Sequence, residues 1–210
     1  MRSIETLERQ WAVRFGKRVC KEFTSLYHDL HILSPFPGPP TGGGILACNH
    51  TASLDPVLLQ ASCPRMITWM MASEYRGFFG LQWLFRAIEP ILVDRTGRDM
   101  AATRSALRAL KNDRLIGLFP EGRIEKTREL MEFQTGVALL ASKANVPIYP
   151  AFIDGPQRGK GMVEAFFTPS LMTIAFGDPI YLDPQTSGRE ALDAATLKIR
   201  NAIEGLSHLK

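Results

Sequence analysis

An imidazole and a carboxylate stand five positions apart in Cys48-Asn49-His50-Thr51-Ala52-Ser53-Leu54-Asp55-Pro56. The stretch follows an apolar run over 45–48 that reads as a strand, which puts His50 at the strand's carboxyl end, where α/β proteins place their ligands. Pro56 keeps Asp55 out of helical dihedrals and is itself suited to the first helical position, so Asp55 reads as the cap of the next helix. The four residues between His50 and Asp55 suffice for the loop to fold the carboxylate back onto the ring. An Asp holding one ring nitrogen fixes the tautomer and stabilises the imidazolium, which makes the other nitrogen a positioned general base. The plainer alternative is a loop histidine next to a simple helix cap.

Three further stretches share the form of an apolar strand ending in polar groups. Glu89-Pro90-Ile91-Leu92-Val93-Asp94-Arg95 delivers a guanidinium able to grip a phosphate through two parallel hydrogen bonds, unless Asp94 and Arg95 are only a surface pair. Leu118-Phe119-Pro120-Glu121-Gly122-Arg123 offers Glu121 to a substrate hydroxyl and Arg123 to its phosphate. Gly122 there permits an unusual dihedral or a close backbone approach, and a tight turn with solvated charges is the alternative. Val146-Pro147-Ile148-Tyr149-Pro150-Ala151-Phe152 carries two prolines in an apolar run, which predicts an edge or bulged strand with a packing role.

The elements that must position these residues follow from periodicity. Strands are predicted over 45–48, 66–72, 88–93, 115–119, 148–153 and 171–176, and helices over 56–62, 79–86, 100–112, 133–145 and 188–206. Strands separated by helices of this length predict an α/β fold with a mostly parallel, mixed sheet flanked by helices. Ahead of it, residues 4–32 read as helix, with Leu7, Trp11, Phe15, Val19, Phe23, Tyr27 and Leu30 on one stripe beside several cations. Gly16 marks a possible break into two helices. That amphipathic region suits a membrane interface and equally suits packing on the domain. The organisation expected is therefore an amphipathic N-terminal region over 1–33, a Pro/Gly linker over 34–44 and one domain over 45–210.

Composition narrows the classes. A 210-residue chain that is 45% hydrophobic and 22% charged is ordinary globular material, which excludes disordered and low-complexity classes. The net charge of +4 favours acidic partners such as anionic lipid, phosphate esters or an acidic carrier protein. The three cysteines, Cys20, Cys48 and Cys63, form no disulfide framework and no zinc signature, which points to a reducing compartment. No apolar run reaches the roughly 18–20 residues needed to cross a bilayer. His28 and His31 have no third ligand nearby, so no metal is expected. The scattered Arg and Lys, with no basic-aromatic module, argue against nucleic-acid binding.

Taken together, the four blocks over 49–150 resemble those of the PlsC-type glycerolipid acyltransferase family: Asn-His-x4-Asp, a block ending in Asp-Arg, Phe-Pro-Glu-Gly-Arg and Val-Pro-Ile-x-Pro. The second departs slightly, with Leu92-Val93 where family members often carry Phe-Ile. The resemblance implies transfer of a fatty acyl group from acyl-CoA or acyl carrier protein to the free hydroxyl of a lysophospholipid, 1-acylglycerol 3-phosphate first among candidates and a lyso-ornithine lipid another. It implies His50 as base oriented by Asp55, Glu121 on the acceptor's glycerol, Arg95 and Arg123 on its phosphate, and no cofactor. It also implies a peripheral or monotopic seat on the cytoplasmic face of the cell membrane. Met66, Ile67, Trp69, Met70 and Met71 are candidates to line an acyl tunnel, or simply core. A non-catalytic lipid-binding module, a thioester hydrolase and a Cys48–His50 thiol mechanism are the competing readings.

Overall fold

The computed structural model describes residues 4–74, 89–94, 99–125, 127, 129–155, 158–160 and 162–209; the predicted helix 79–86 and Arg95 lie outside the described residues. Along the chain come α1 (Ile4–Tyr27), β1 (Leu30–Ser34), β2 (Gly44–Cys48), α2 (Asp55–Ser62), β3 (Ile67–Ala72) and β4 (Ile91–Val93). These are followed by α3 (Met100–Lys111), β5 (Leu115–Leu118), α4 (Gly136–Ala144), β6 (Ile148–Asp154), α5 (Met162–Phe167), β7 (Met172–Phe176) and α6 (Arg189–Gly205). The strands form one sheet in the order β1-β7-β6-β2-β5-β3-β4. β6, β2, β5, β3 and β4 are mutually parallel, whereas β7 runs against β6 and β1 runs parallel to β7. The mixed α/β sheet expected from the alternation of strands and helices is what forms.

β2 and β5, in the middle of the sheet, are apolar at every position because both of their faces are covered. Ile45, Ala47, Ile116, Leu118 and Ile148 pack with residues of α3, α4 and α6 on one face. Leu46, Cys48, Leu115, Tyr149, Ala151 and Ile153 pack with Leu54, Leu58 and Leu59 at and in α2 on the other. Since side chains alternate along a strand, the residues of β2 that point toward α2 are 46 and 48, and the next in phase is His50. Five parallel strands send their carboxyl ends to the same rim of the sheet, and β2 lies at its middle.

Three local expectations are corrected. The N-terminal helix runs unbroken through Gly16 but stops at Tyr27, and residues 30–34 are a strand rather than helix. Leu30, His31 and Ile32 pair with Met172, Thr173 and Ile174, so the end of the supposed N-terminal appendage is built into the sheet. The short helix α5 has no counterpart among the predicted elements. The third correction concerns β6, which despite Pro147 and Pro150 is central, flanked by β7 and β2. Pro150 escapes the usual penalty because its missing donor faces the point where the neighbouring strand has ended. There Gly177 N–H donates to Pro150 O (2.8 Å), and the next pairing is the Ile148–Ile180 bridge.

The predicted apolar stripe of α1 is divided between two jobs. Phe23 stacks on Phe166 at 5.4 Å, Tyr27 donates from its hydroxyl to Phe167 O (3.0 Å), and Lys17 donates to the carbonyl of Pro64. Trp11, Phe15, Val19 and Leu26, spaced as one helical face, remain 67%, 50%, 49% and 84% exposed. None of the described helices is long and apolar enough to cross a membrane.

One glycine sets how the strands beneath the site stack. Gly117 of β5 pairs with Trp69 of β3, and a Cβ at 117 would lie 2.5 Å from Ile67 Cγ2 and 2.7 Å from the Trp69 ring. Trp69 therefore lies flat across the strand and stacks on Phe119 at 5.2 Å. Gly117→Ala is expected to lower stability by about 1–3 kcal/mol through overpacking, measured by urea denaturation, with a changed near-ultraviolet aromatic signal.

Candidate active site

The carboxylate of Asp55 is completely buried and wholly engaged. Its Oδ2 accepts from Thr51 N (2.6 Å), Ala52 N (2.9 Å) and His50 Nδ1 (2.9 Å), and its Oδ1 accepts from the Thr51 hydroxyl (3.2 Å). Asp55 is thus not the cap of α2. Leu54 occupies that position without a side-chain bond, and Asp55, the first helical residue, turns its carboxylate backward into the loop. The backward turn rules out the simple-cap alternative. Two backbone amides, a hydroxyl and an imidazole compensate a charge whose burial would otherwise cost several kcal/mol.

Because Nδ1 donates to Asp55, the lone pair of His50 sits on Nε2, which has no hydrogen-bond partner among the described residues. The His50 side chain is 15% exposed. Its ring stacks face to face on Phe119, with centroids 3.9 Å apart and planes 11° apart, and Phe119 lies in turn on Trp69. The strand ends also hold the His50 backbone. Its N–H donates to Glu121 Oε1 (3.0 Å), and its carbonyl accepts from Glu125 N (2.7 Å). The imidazole is constrained by a carboxylate, by an aromatic platform and at both of its backbone polar groups.

Asn49 continues the sheet where the backbone of β2 leaves it. Its side-chain Nδ2 donates to Ile153 O (2.9 Å), and its Oδ1 accepts from Ile153 N (2.8 Å). The side-chain amide mimics a peptide group, which frees the main chain of His50 to turn toward Asp55. Sequence reasoning passed over Asn49; its signal was an amide side chain directly after a buried strand.

Glu121 divides its oxygens. Oε1 holds His50, whereas Oε2 is buried with no hydrogen-bond partner among the described residues; the Met131 amide favours the charge without bonding to that oxygen. Burial pushes the Glu121 carboxyl above its ordinary range, against the opposing pull of the His50 and Met131 amides, His50 and Arg158. Gly122 adopts φ +71°, and a Cβ there would lie 2.6 Å from Gln134 Nε2, so the turn after Glu121 needs glycine. Arg123 is exposed. Arg95 lies outside the described residues; the preceding Asp94 is exposed, and its N–H donates to Asp99 Oδ2 (2.9 Å), whose other oxygen caps α3.

The structure brings a further residue into this cluster. Arg158, just beyond β6, pairs with Asp154 (3.0 Å) and Glu125. Nothing in the four motifs singled it out; a charged residue shortly after the carboxyl end of a parallel strand was the available signal. Cys48 is fully buried, and burial together with Asp55 and Glu121 pushes its thiol well above the usual range. It stays protonated, which removes the thiol mechanism. Of the apolar group 66–71, Trp69 reaches the site through Phe119, while Ile67 is core.

The chain thus presents a mixed α/β sheet with a histidine–carboxylate pair at the carboxyl ends of its central strands. The profile of the Acyltransferase family matches residues 28–154, and the chain belongs to that family. It is similar to the 1-acyl-sn-glycerol-3-phosphate acyltransferase of Bacillus subtilis, 24% identical over 201 residues that cover 93% of this chain and 96% of that protein. It is also similar to the enzyme of that name from Streptococcus pneumoniae, 27% identical over 167 residues, 77% of this chain and 60% of the relative. The crystal structure of the 1-acyl-sn-glycerophosphate acyltransferase PlsC from Thermotoga maritima matches with a TM-score of 0.77 at 24% identity, over 99% of this chain and 84% of that one, and shares the fold.

Two expectations follow for variants. Substituting His50→Ala is expected to cut turnover by about a thousandfold or more and Asp55→Asn by about a hundredfold or more, whereas Cys48→Ala stays within about threefold, measured by steady-state kinetics. For Glu121 the sign is unusual. Its folded-state affinity for a proton exceeds that of the unfolded chain. Its contribution to stability therefore falls as pH rises from the ordinary carboxylate value through the raised one, and is lowest above both. Glu121→Gln is expected to leave the melting temperature at pH 7 equal to or above wild type while activity drops about tenfold or more; a lower melting temperature at pH 7 contradicts the assignment.

Proposed function

We propose that this acyltransferase moves a fatty acyl group from a thioester, acyl-CoA or acyl carrier protein, to the free hydroxyl of a lysophospholipid. The acceptor proposed is 1-acyl-sn-glycerol 3-phosphate and the product phosphatidic acid. The observation that carries the reading is the His50–Asp55 pair, at 2.9 Å between Nδ1 and the carboxylate, with Nε2 unengaged among the described residues. The named activity of the Bacillus subtilis and Streptococcus pneumoniae relatives supports the acceptor.

His50 Nε2 takes the hydroxyl proton as the acceptor oxygen attacks the thioester carbonyl. Collapse of the tetrahedral intermediate forms the ester and expels the thiolate, which takes the proton back from the imidazolium. Asp55 supports that transient cation. The buried Oε2 of Glu121, without a partner among the described residues, accepts a hydrogen bond from the acceptor's glycerol portion, and Gly122 gives the close backbone approach. Arg123 and Arg95 are assigned to its phosphate, as guanidinium groups suited to bidentate contact. No step requires a cofactor or metal.

The exposed face of Trp11, Phe15, Val19 and Leu26 is proposed to seat the protein on the cytoplasmic surface of the membrane. α1 packs through Phe23 against the cluster on the same face of the sheet toward which His50 points. The acceptor then reaches the base from the lipid side.

The deciding experiment incubates purified protein with acyl-CoA and acyl carrier protein donors against a set of lysolipids, including lysophosphatidic acid and a lyso-ornithine lipid, beside His50→Ala. Phosphatidic acid formed only by the wild type supports the assignment. Free fatty acid released without acceptor identifies a hydrolase instead. Since residues 30–34 belong to the sheet, the membrane test uses Trp11→Ser with Leu26→Ser rather than deletion. Vesicle sedimentation is expected to fall about tenfold or more, given the apolar area removed.

A further inference from the structure

Arg158 is largely but not fully buried, its side chain 12% exposed, between two carboxylates. Nη2 donates to Asp154 Oδ1 at the end of β6 (3.0 Å), and Nη1 pairs with Glu125, the residue whose N–H holds the carbonyl of His50. The next residue, Gly159, donates from its N–H to Thr51 O (2.7 Å), inside the turn that joins His50 to Asp55. One side chain therefore links the end of β6, the loop after β5 and, through its own loop, the turn after β2.

The charge balance sets what this cation does. Asp55 at α2 and Glu121 after β5 bond His50 directly, Glu125 after β5 and Asp154 on β6 pair with Arg158, and the Arg158 charge interacts with Asp55 and Glu121 as well. The aromatic neighbours Phe119 and Trp69 are uncharged, Cys48 is a protonated thiol, and Arg123 is exposed. An uncompensated negative field would hold His50 as imidazolium, which cannot accept a proton. Two carboxylates occupy the Nη atoms of Arg158, while its buried Nε has no hydrogen-bond partner among the described residues.

We propose that Arg158 is a positioning residue for the base: it locks the His50 turn through Glu125 and Gly159, and its positive charge offsets the carboxylates gathered there, which otherwise favour an imidazolium unable to take a proton. This rests on His50 being the base, so the test reads the histidine directly as well as the reaction.

In the full-length protein, the pH titration of the His50 ring is followed by NMR, with the resonance assigned by its loss in His50→Ala. Arg158→Met, or Arg158→Gln if the first variant is unstable, is expected to move the midpoint up by about half a unit to one unit. Arg158→Lys keeps the charge and leaves the midpoint near wild type. Glu125→Gln removes one negative charge, retains the backbone contact and moves it down. In kinetics, the neutral variants are expected to shift the acid limb of kcat/KM upward by the same amount and to lower kcat about tenfold or more, with KM for the acceptor within about threefold.

An unchanged midpoint in the neutral variants or in Glu125→Gln overturns the proposal. So does an equal shift in Arg158→Lys and Arg158→Met, and so does a rise in acceptor KM with kcat unchanged, which makes Arg158 a phosphate ligand. If the midpoints move as expected while the wild type transfers no acyl group, the electrostatic role stands and the functional reading fails.

Discussion

A single buried carboxylate organises the region around His50. Asp55 has no contact with solvent, yet it is satisfied within the turn that precedes it, by two peptide N–H groups, one hydroxyl and one imidazole. Such a charge is tolerable only while every donor stays in place, since each charge-assisted bond contributes on the order of 1.5–3 kcal/mol and losing one leaves a poorly solvated ion. The requirement runs in both directions. The turn must keep its shape to solvate the carboxylate, and the carboxylate must stay to keep the turn. The orientation of His50 is therefore a product of local folding energetics and needs no substrate to establish it.

Around that turn the sheet supplies rigidity by strand ends. β2 brings Asn49 and His50, β5 brings Phe119 and Glu121, and β6 brings Ile153 and Asp154. Neighbouring parallel strands hold these groups in fixed register, so the loops that carry His50 and Glu121 are anchored at both sides. Glycine serves the same end at two positions. Gly117 lets Trp69 lie flat so that Phe119 and then His50 can stack, and Gly122 lets the chain turn sharply beside Glu121.

The alternation of apolar runs with helical segments made the parallel core legible, because burial on both faces leaves a strand with nothing but apolar residues. The His50–Asp55 pair and Glu121 were legible for a related reason: polar groups directly after such runs have only the strand end to occupy. β1 was not legible, since Leu30 and its neighbours prolong a helical stripe and only pairing with β7 decides their state. Pro150 misled because its cost depends on what the adjacent strand does at that level, which one segment does not contain. Arg158 was hidden in a glycine-flanked loop, and its meaning comes from Asp154 four positions earlier together with carboxylates some thirty to a hundred positions earlier.

The amide of Asn49 carries a chemical vulnerability. It presents a donor to one peptide group of β6 and an acceptor to the other, both on Ile153. Spontaneous hydrolysis of that side chain would replace the donor with a second oxygen facing a carbonyl, and attraction would become repulsion across the seam between β2 and β6. Ageing of the protein at this one nitrogen would therefore unfasten the residue preceding the histidine without touching any group that meets substrate.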